Sequence, residues 1–267
     1  MKVLFTDLDG TLLNDASLVS KTSYEYLTEF CRLGNKLVLS SGRPLDSILE
    51  VKEKAGLDFP GIFVTANNGA LIYDCDRKEN IHEIRLAMST VETVWELARN
   101  NNIHIQTYTD DTILSIADDA EIKVYTERIH LPVAFCDSPS QVLTKAPFKL
   151  LAIELNSHEK LEAFRASVMS SVPQVESIFS NPRYLEIFSK EAGKGRALEW
   201  LCSYFNIPLE DSIAAGDAAN DLSMLRAAHT SIAMSNGDPA LFKHVTNISP
   251  CSNDEDGLIK CLKQILS

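Results

Sequence analysis

Two apolar runs, one near each end of the chain, lead directly into closely spaced aspartates. One run ends at Asp7 and Asp9, and the other ends at Asp217 and Asp221. Like carboxylates repel one another and lose hydration when buried, so this arrangement is costly to fold unless a cation or a proton shares the site. The two strand ends therefore predict one shared metal site.

The donor atoms at this site indicate which metal it would select. No Cys or His lies near these aspartates in the sequence, and carboxylate and backbone oxygens are the ligands that Mg²⁺ prefers, so zinc is not expected. Asp7 and Asp9 are two residues apart and would face the same side of an extended segment. Two such carboxylates can divide nucleophilic attack and proton transfer between them, although Asp-x-Asp-Gly-Thr alone is equally compatible with an acidic turn.

Two further motifs could bind a dianion. A third apolar run ends in Ser41-Gly42-Arg43, ahead of a helix with a proline in its first turn. A serine hydroxyl and backbone N–H groups at a helix N-terminus can cradle phosphate, although a simple capped helix start explains the pattern as well. Lys194 lies between two glycines before an amphipathic helix and could reach the same strand ends, or it could be solvated. It is not part of a P-loop, because Gly195 follows it.

Taken in this order, the motifs resemble the haloacid dehalogenase superfamily, and more closely its Cof-type phosphatases. The four main motifs are Asp7-Leu8-Asp9-Gly10-Thr11, Ser41-Gly42-Arg43, Lys194 and Gly216-Asp217-Ala218-Ala219-Asn220-Asp221. Shorter segments that match the Cof-type pattern are Ala66-Asn67-Asn68-Gly69-Ala70, Tyr184-Leu185-Glu186-Ile187, Ala233-Met234-Ser235-Asn236-Gly237 and Asp256-Gly257. The resemblance implies a Mg²⁺-dependent phosphatase that hydrolyses small metabolite phosphate monoesters, with sugar phosphates favoured.

The resemblance also implies a role for each candidate residue. Asp7 would attack phosphorus to form an aspartyl-phosphate, and Asp9 would protonate the leaving alcohol and then activate water. Mg²⁺ would be held by Asp7, the backbone carbonyl of Asp9, Asp217 and, directly or from the outer coordination shell, Asp221. The phosphate-binding set comprises Ser41, Gly42, Lys194 and Asn220, of which Asn220 would orient Lys194 or the acidic loop. Candidate substrate contacts are Arg43, Asn67, Asn68, Arg183 and Glu186, the last two being equally compatible with plain surface.

Two alternatives remain open at this point. A phosphomutase acting on sugar phosphates would also keep both aspartates, but it would pass the phosphoryl group through a bisphosphate intermediate. A phospho-acceptor signalling switch would be phosphorylated on an aspartate beside Mg²⁺. The second aspartate of Asp-x-Asp, the length of the chain and its inserted segment disfavour the switch.

Bulk properties restrict the partners and the compartment. The 267 residues are 45% hydrophobic, enough to bury a large core. A net charge of −12 argues against nucleic acid or an anionic membrane as a partner, and a small phosphate ester remains possible as the substrate.

The six cysteines are scattered without a Cys-x-x-Cys pair and are expected to be reduced. With no apparent signal peptide or membrane-length apolar run, a cytoplasmic location is expected, and the oligomeric state is not indicated.

Alternating strand and helix patterns predict an α/β fold, a Rossmann-like parallel sheet core with an inserted α/β cap domain. The core is predicted at 1–82 and 190–267, and the inserted domain at 83–189. The family resemblance implies that this domain is a cap that sets substrate specificity. Predicted core strands are 2–6, 36–40, 61–65, 212–215, 230–234 and 246–249. Predicted core helices are 20–33, 44–55, 195–205, 220–228, 238–244 and 256–266.

The predicted cap has a mostly antiparallel sheet. Its strands are expected at 103–108, 112–117, 148–155, 175–179 and 184–188, and its helices at 89–101, 119–129 and 158–171. Chain crossings near 81–84 and 188–192 would act as a hinge. Asn68-Gly69 predicts a type I′ hairpin turn, and the polar stretch 73–80 is expected to begin the first crossing out of the core.

Overall fold

The computed structural model describes residues 1–109, 111–127, 129 and 131–266. Its strands are β1 (Val3–Thr6), β2 (Lys36–Ser40), β3 (Ile62–Ala66), β4 (Leu71–Asp74), β5 (Glu79–Glu83), β6 (His104–Tyr108), β7 (Ile113–Ser115), β8 (Val133–Phe135), β9 (Lys149–Ile153), β10 (Val175–Asn181), β11 (Tyr184–Ser189), β12 (Ser212–Gly216), β13 (Thr230–Ala233) and β14 (Asn247–Ile248). Its α-helices are α1 (Lys21–Arg32), α2 (Leu45–Lys54), α3 (Met88–Asn100), α4 (Ala120–Thr126), α5 (His158–Ser171), α6 (Lys194–Tyr204), α7 (Leu222–Ala227) and α8 (Gly257–Ile265).

The chain divides into two compact units. The core unit comprises Met1–Glu83 and Ala192–Ser267, and the inserted unit comprises Ile84–Glu191. Both units combine sheets with helices, and the predicted α/β fold class is confirmed. Within the described residues, no helix combines the length and the apolar character needed to cross a membrane.

The core unit is built on one eight-stranded sheet, in the order β14-β13-β12-β1-β2-β3-β4-β5. The strands from β14 to β3 run parallel, and β4 and β5 extend the sheet as antiparallel strands. Helices α6 and α7 contribute Leu198, Leu201 and Leu225 to an apolar cluster that also contains Val3 and Phe5 of β1. The central strands are apolar, as expected for strands buried on both faces. Because they run parallel, their carboxyl ends meet at one edge of the sheet, where α/β proteins place their active sites.

The inserted unit has a six-stranded sheet in the order β10-β11-β9-β6-β7-β8. Only β7 and β8 pair in parallel among these strands. Trp95 of α3 and Phe164 of α5 pack with Ile105 of β6 and Leu185 of β11 in the apolar cluster of this unit. Side chains of a strand alternate between faces, so His104, Gln106 and Tyr108 of β6 lie on the opposite face of the sheet.

Apart from α4, the predicted helices and strands have bounds within two residues of those observed. Helix α4 was predicted to continue to residue 129 but ends at Thr126, and residue 128 lies outside the described residues. Strand β8 was not predicted, because three residues are too short for a periodic pattern. No strand was predicted at the position of β5 either. The segment predicted as a short helix at 238–244 forms a 3₁₀ helix, Pro239–His244, with Asp238 as its N-cap.

The type I′ turn predicted at Asn68-Gly69 is wrong. Ala66 pairs with Leu71, which leaves a four-residue connection, and Asn67, Asn68 and Gly69 all have positive φ, at 50°, 56° and 87°. A two-residue turn would need only two such residues. The longer connection arises because its backbone also bonds to a neighbouring loop, as described below.

The expectation that residues 73–80 begin the first passage of the chain out of the core is also wrong. Tyr73 pairs with Asn80 and Asp74 pairs with Glu79, so this stretch is the β4–β5 hairpin of the core unit. The buried Asp74 carboxylate accepts hydrogen bonds from the backbone N–H groups of residues 76 and 77, at 2.9 and 3.0 Å. A polar turn and a polar linker have similar compositions, and this local capping interaction distinguishes them.

Candidate active site

The two acidic strand ends lie side by side. Strand β1 pairs in parallel with β12, with Thr6 opposite Ala215. The backbone N–H of Asp7 continues the ladder by donating to the Ala215 carbonyl at 2.9 Å. Because the two strands run in the same direction, the residues that follow them, Asp7 and Asp217, emerge at the same edge.

Three carboxylates come together at this edge. One oxygen from each of Asp7, Asp217 and Asp221 can be chosen so that all three atoms lie within 4.8 Å of one another. Asp7 is 7% exposed and Asp221 is fully buried. Within the described residues, the side-chain oxygens of Asp9 are not part of this group. A cation held here would therefore take side-chain oxygens from three of the four predicted ligand residues.

Lys194, the first residue of α6, places its ammonium between two of these carboxylates. Its Nζ lies 2.6 Å from Oδ1 of Asp7 and 2.5 Å from Oδ1 of Asp221, and its side chain is 1% exposed. The ammonium donates a hydrogen bond to each. Among the described residues, the ammonium of Lys194 thus faces three carboxylates, which leaves the cluster short of positive charge.

This shortage of positive charge shifts the pKa values of the residues in the cluster. Burial raises the pKa of Asp7 to about 8; Lys194 opposes this shift, and the carboxylates of Asp221 and Asp217 reinforce it. Burial and the neighbouring Asp221 raise the pKa of Asp217 to about 6. Burial alone would lower the pKa of Lys194, but the carboxylates of Asp221 and Asp7 outweigh it and raise that pKa. An additional cation would relieve the repulsion that holds both aspartate pKa values up.

Asp221 organises the loop that carries Asp217. It closes a 3₁₀ turn at Ala219–Asp221, and its Oδ2 accepts from the backbone N–H groups of Asp217 at 3.0 Å and Ala218 at 3.1 Å. A Cβ added at Gly216 would lie 2.5 Å from Cβ of Asp221. Only glycine lets the strand end approach the turn this closely.

Two residues that hold the acidic loops were not predicted as site residues. Oγ1 of Thr11 donates to Oδ1 of Asp217 at 3.1 Å. The side-chain amide of Asn236 donates to the backbone carbonyl of Gly10 at 2.9 Å. Both residues lie within the motifs that carry the family resemblance, and their presence there is the signal that could have identified them.

Asp9 interacts with a different cation. Arg43 donates from Nε to Oδ2 of Asp9 at 2.8 Å and from one terminal nitrogen to Oδ1 at 2.6 Å, a two-point contact. The side chains of Arg43 and Asp9 are 33% and 53% exposed. A pair this open to water contributes little stability, so it can open at low cost.

The predicted phosphate-binding loop and the asparagine turn support each other. The Ser41 hydroxyl accepts from the Arg43 backbone N–H at 3.2 Å, and the Ser41 carbonyl accepts from the Asn68 N–H at 3.1 Å. The Asn67 N–H donates to the Arg43 carbonyl at 2.9 Å. A Cβ at Gly42 would lie 2.9 Å from Oδ1 of Asn68. These contacts account for the four-residue connection between β3 and β4.

Three predicted site residues take no part in the hydrogen bonds described above. Asn220 is half-buried in the 3₁₀ turn, and among the described residues its side chain forms no hydrogen bond with Lys194, which the two aspartates orient instead. Arg183 and Glu186 belong to the inserted unit. Arg183 is exposed at the turn between β10 and β11, and Glu186 accepts from Nζ of Lys149 at 2.9 Å.

The core unit is a Rossmann-like α/β fold. Its clustered aspartates and buried lysine lie at the carboxyl ends of parallel strands, where enzymes with this fold place their active sites. The family model for haloacid dehalogenase-like hydrolases matches residues 4–262, and the chain belongs to this family.

Relatives match along the whole chain. The 5-amino-6-(5-phospho-D-ribitylamino)uracil phosphatase YwtE of Bacillus subtilis is 27% identical over 303 residues, covering 100% of this chain and 99% of the relative. Phosphatase YwpJ of the same organism is 27% identical over 297 residues, covering 100% of both. The prediction of an enzyme, a phosphatase of the haloacid dehalogenase type, is confirmed by the family match and these relatives.

Solved structures share the fold. A haloacid dehalogenase-like hydrolase from Bacteroides thetaiotaomicron superposes with a TM-score of 0.84 at 28% identity, covering 99% of both chains. A protein of Thermotoga maritima superposes with a TM-score of 0.83 at 29% identity, covering 98% of this chain and 97% of that one. The described fold is therefore that of the family over nearly its full length.

Proposed function

We propose that the protein is a Mg²⁺-dependent phosphatase that hydrolyses small metabolite phosphate monoesters, sugar phosphates above all, through an aspartyl-phosphate on Asp7. The observation that carries this proposal is the meeting of Asp7, Asp217 and Asp221 around the single ammonium of Lys194. Phosphoryl transfer needs mainly positioning and charge neutralisation, and a cluster of this composition can supply both once a cation is bound.

The donor set suits Mg²⁺. The three carboxylates offer only oxygen, as this hard cation requires. We propose that Asp7, Asp217, Asp221 and the backbone carbonyl of Asp9 hold it. When bound, it would neutralise charge that develops on the phosphoryl oxygens.

In the proposed first half-reaction, a carboxylate oxygen of Asp7 attacks phosphorus. The bond between phosphorus and the ester oxygen breaks, and the leaving alcohol takes its proton from the Asp9 carboxyl. Asp9 is on the exposed side of the site, where it can exchange protons with water. Lys194 holds Asp7 in place through Oδ1 and leaves Oδ2 for the attack.

In the proposed second half-reaction, Asp9 takes a proton from water as the water oxygen attacks phosphorus. The bond between Asp7 and phosphorus breaks, which releases phosphate and restores the carboxylate. Arg43 orients the Asp9 carboxylate, the base that this step needs, through its two-point contact.

The remaining assignments concern the substrate. Ser41, Gly42, Lys194 and Asn220 are proposed for the phosphoryl group, with Asn220 positioning the acidic loop. Arg43, Asn67, Asn68, Arg183 and Glu186 are proposed for the rest of the ester. The relative YwtE is named for a phosphate on a ribityl chain, which supports a polyhydroxylated alcohol as the leaving group. We place the enzyme in the cytoplasm, consistent with six free thiols.

A panel of phosphate esters assayed with Mg²⁺ tests the proposal. We expect many turnovers that release inorganic phosphate from hexose or pentitol phosphates, loss of activity with a chelator, and recovery with Mg²⁺ alone. Asp9→Asn should slow both half-reactions by about 10²–10⁴-fold. Recovery by zinc only would contradict the metal assignment. A requirement for a sugar bisphosphate with accumulation of a phosphate isomer would identify a mutase, and a persistent phospho-Asp7 would identify a signalling switch.

A further inference from the structure

A row of hydrogen-bonded side chains crosses the sheet of the inserted unit. Asp119, the N-cap of α4, contacts Nδ1 of His104 through Oδ2 at 2.8 Å. Nε2 of His104 lies 3.1 Å from Oε1 of Gln106, and Nε2 of Gln106 lies 2.9 Å from the Tyr108 hydroxyl. The Tyr108 hydroxyl lies 2.7 Å from that of Tyr125. We call these five residues the relay row.

Each bond of the relay row needs one donor, and this requirement fixes the direction of the whole row. Oε1 of Gln106 can only accept, so Nε2 of His104 must carry a proton when it faces that oxygen. With Asp119 accepting from Nδ1, His104 is then doubly protonated. The Gln106 amide donates to the Tyr108 hydroxyl, and Tyr125 is the other partner of that hydroxyl among the described residues, so the Tyr108 proton is directed to Tyr125. The Tyr125 hydroxyl is left with its own proton to donate elsewhere.

Removal of one proton reverses every bond after His104. Neutral His104 keeps its Nδ1 proton for Asp119 and offers a lone pair at Nε2. Rotation of the Gln106 amide by half a turn then places its NH₂ on His104 and its oxygen on Tyr108. Tyr108 donates to Gln106, and Tyr125 must donate to Tyr108. All contacts are preserved, but the Tyr125 hydroxyl can now only accept from other groups.

Both tyrosines keep their protons, as this scheme requires. Burial, together with the nearby Tyr125, raises the pKa of Tyr108 well above its usual value. Burial also raises the pKa of Tyr125. Each hydroxyl therefore supplies one donor throughout the ordinary pH range, so the two arrangements of the row differ in proton number only at its His104–Asp119 end. His104 itself has a side chain that is 1% exposed, so water cannot replace its partners.

We propose that the relay row is a proton-controlled positioning device, in which protonation of His104 converts the Tyr125 hydroxyl from an acceptor to a donor. Tyr125 is half-buried and lies on the same sheet face as the ion pair of Lys149 and Glu186. A ligand group that contacts the Tyr125 hydroxyl would meet a hydrogen-bond donor when His104 is protonated and an acceptor when His104 is neutral. Charged groups that face the row are Asp119 at the start of α4, Lys149 of β9 and Glu186 of β11.

Nuclear magnetic resonance on the full-length protein tests this proposal without any phosphate ester, so its outcome is independent of the proposed phosphatase activity. The ring nitrogens of His104 and the Cζ carbons of Tyr108 and Tyr125 are followed from about pH 5 to 9. We expect both Cζ resonances to shift with the midpoint measured at His104. The Cζ of Tyr24, which packs on Phe59 in the core unit, serves as the control and should not follow that midpoint.

Two variants separate the relay from a general pH effect. In Gln106→Leu the relay is interrupted, so His104 should still titrate while Tyr125 no longer follows it. In Gln106→Glu the central side chain can only accept, so the His104 midpoint should move to higher pH. The proposal is overturned if His104 does not titrate in this range, if Tyr125 is unchanged through the His104 transition, or if Tyr125 still follows His104 in Gln106→Leu.

Discussion

The acidic cluster of the core unit and the relay row of the inserted unit both bury polar side chains, but they satisfy them differently. In the cluster, three carboxylates face one ammonium, so the residues of the chain leave a deficit of positive charge. In the relay row, each neighbouring pair of side chains forms a hydrogen bond, and the bonds beyond His104 can run in either of two directions. A site that is short of positive charge requires a cation from outside the chain. A row of paired side chains can instead adopt two hydrogen-bond directions that keep the same contacts.

The largest effect is expected where the cluster loses its nucleophile. Asp7→Asn should lower kcat by about a thousandfold or more, because the amide cannot form an acyl phosphate. Without metal and above the Asp7 pKa of about 8, its melting temperature should be unchanged or higher, since one buried negative charge is removed. Phosphate release and thermal unfolding measure the two effects. Asp58→Asn, at an exposed position, is the control. Full activity in Asp7→Asn would refute the assigned nucleophile.

Removal of the ammonium should turn the charge deficit into instability. Lys194→Met leaves the carboxylates unpaired, and we expect the free energy of unfolding of the metal-free protein to fall by about 3–5 kcal/mol. Mg²⁺ should recover part of this loss by binding the same oxygens. Urea unfolding with and without Mg²⁺ measures both quantities, with Lys21→Met, whose side chain is 88% exposed, as the control. Equal stability of the variant and the wild type would show that Lys194 does not balance the cluster.

The stability of the metal-free protein should decrease with rising pH. The folded pKa values of Asp7, about 8, and Asp217, about 6, both exceed the unfolded values. Between unfolded and folded values the folded state binds more protons, so the free energy of unfolding falls as pH rises from about 4 to 8. In a chelator, the melting temperature should drop by several degrees over this window. Mg²⁺ should stabilise most at the alkaline end. A melting temperature that rises with pH would contradict the charge deficit.

The smallest effect is expected at the exposed pair. Arg43→Ala should change the free energy of unfolding by less than about 1 kcal/mol, because the contact with Asp9 is open to water. The KM for a phosphate ester should rise severalfold if Arg43 contacts substrate as proposed. Steady-state kinetics beside thermal unfolding distinguishes the two roles, with Arg32→Ala, at another exposed ion pair, as the comparison. A loss of several kcal/mol would show that this pair is structural.

Sequence patterns predicted the long elements because each has a local cause. Helix α1 is capped by Ser20, which accepts from the Ser23 N–H at 3.0 Å, and ends before Gly34, whose φ is 85°. Such signals are readable within a few residues. The connection at 67–70 and strand β8 were not predicted, because bonds to distant segments determine them.

The candidate active site shows the same difference between features with a local cause and features that depend on distant segments. The convergence of Asp7 with Asp217 follows from parallel strands and could be predicted. The contact of Arg43 with Asp9 and that of Lys194 with Asp221 could not, because they depend on side-chain directions across loops far apart in sequence. The relay row was not predicted either, since alternate residues of one strand give no sign of a hydrogen-bonded partner on a later helix.

The position of β1 in the core sheet has a consequence for synthesis of the chain. Val3 of β1 pairs with Lys36 on one side and with Ser212 on the other. At 5–20 residues per second, β12 leaves the ribosome about 10 to 40 s after β1, and until then one edge of a buried apolar strand has no partner. A nascent chain stalled before residue 212 should therefore remain protease-sensitive within residues 1–83, whereas the released protein, which contains β12, should resist cleavage there.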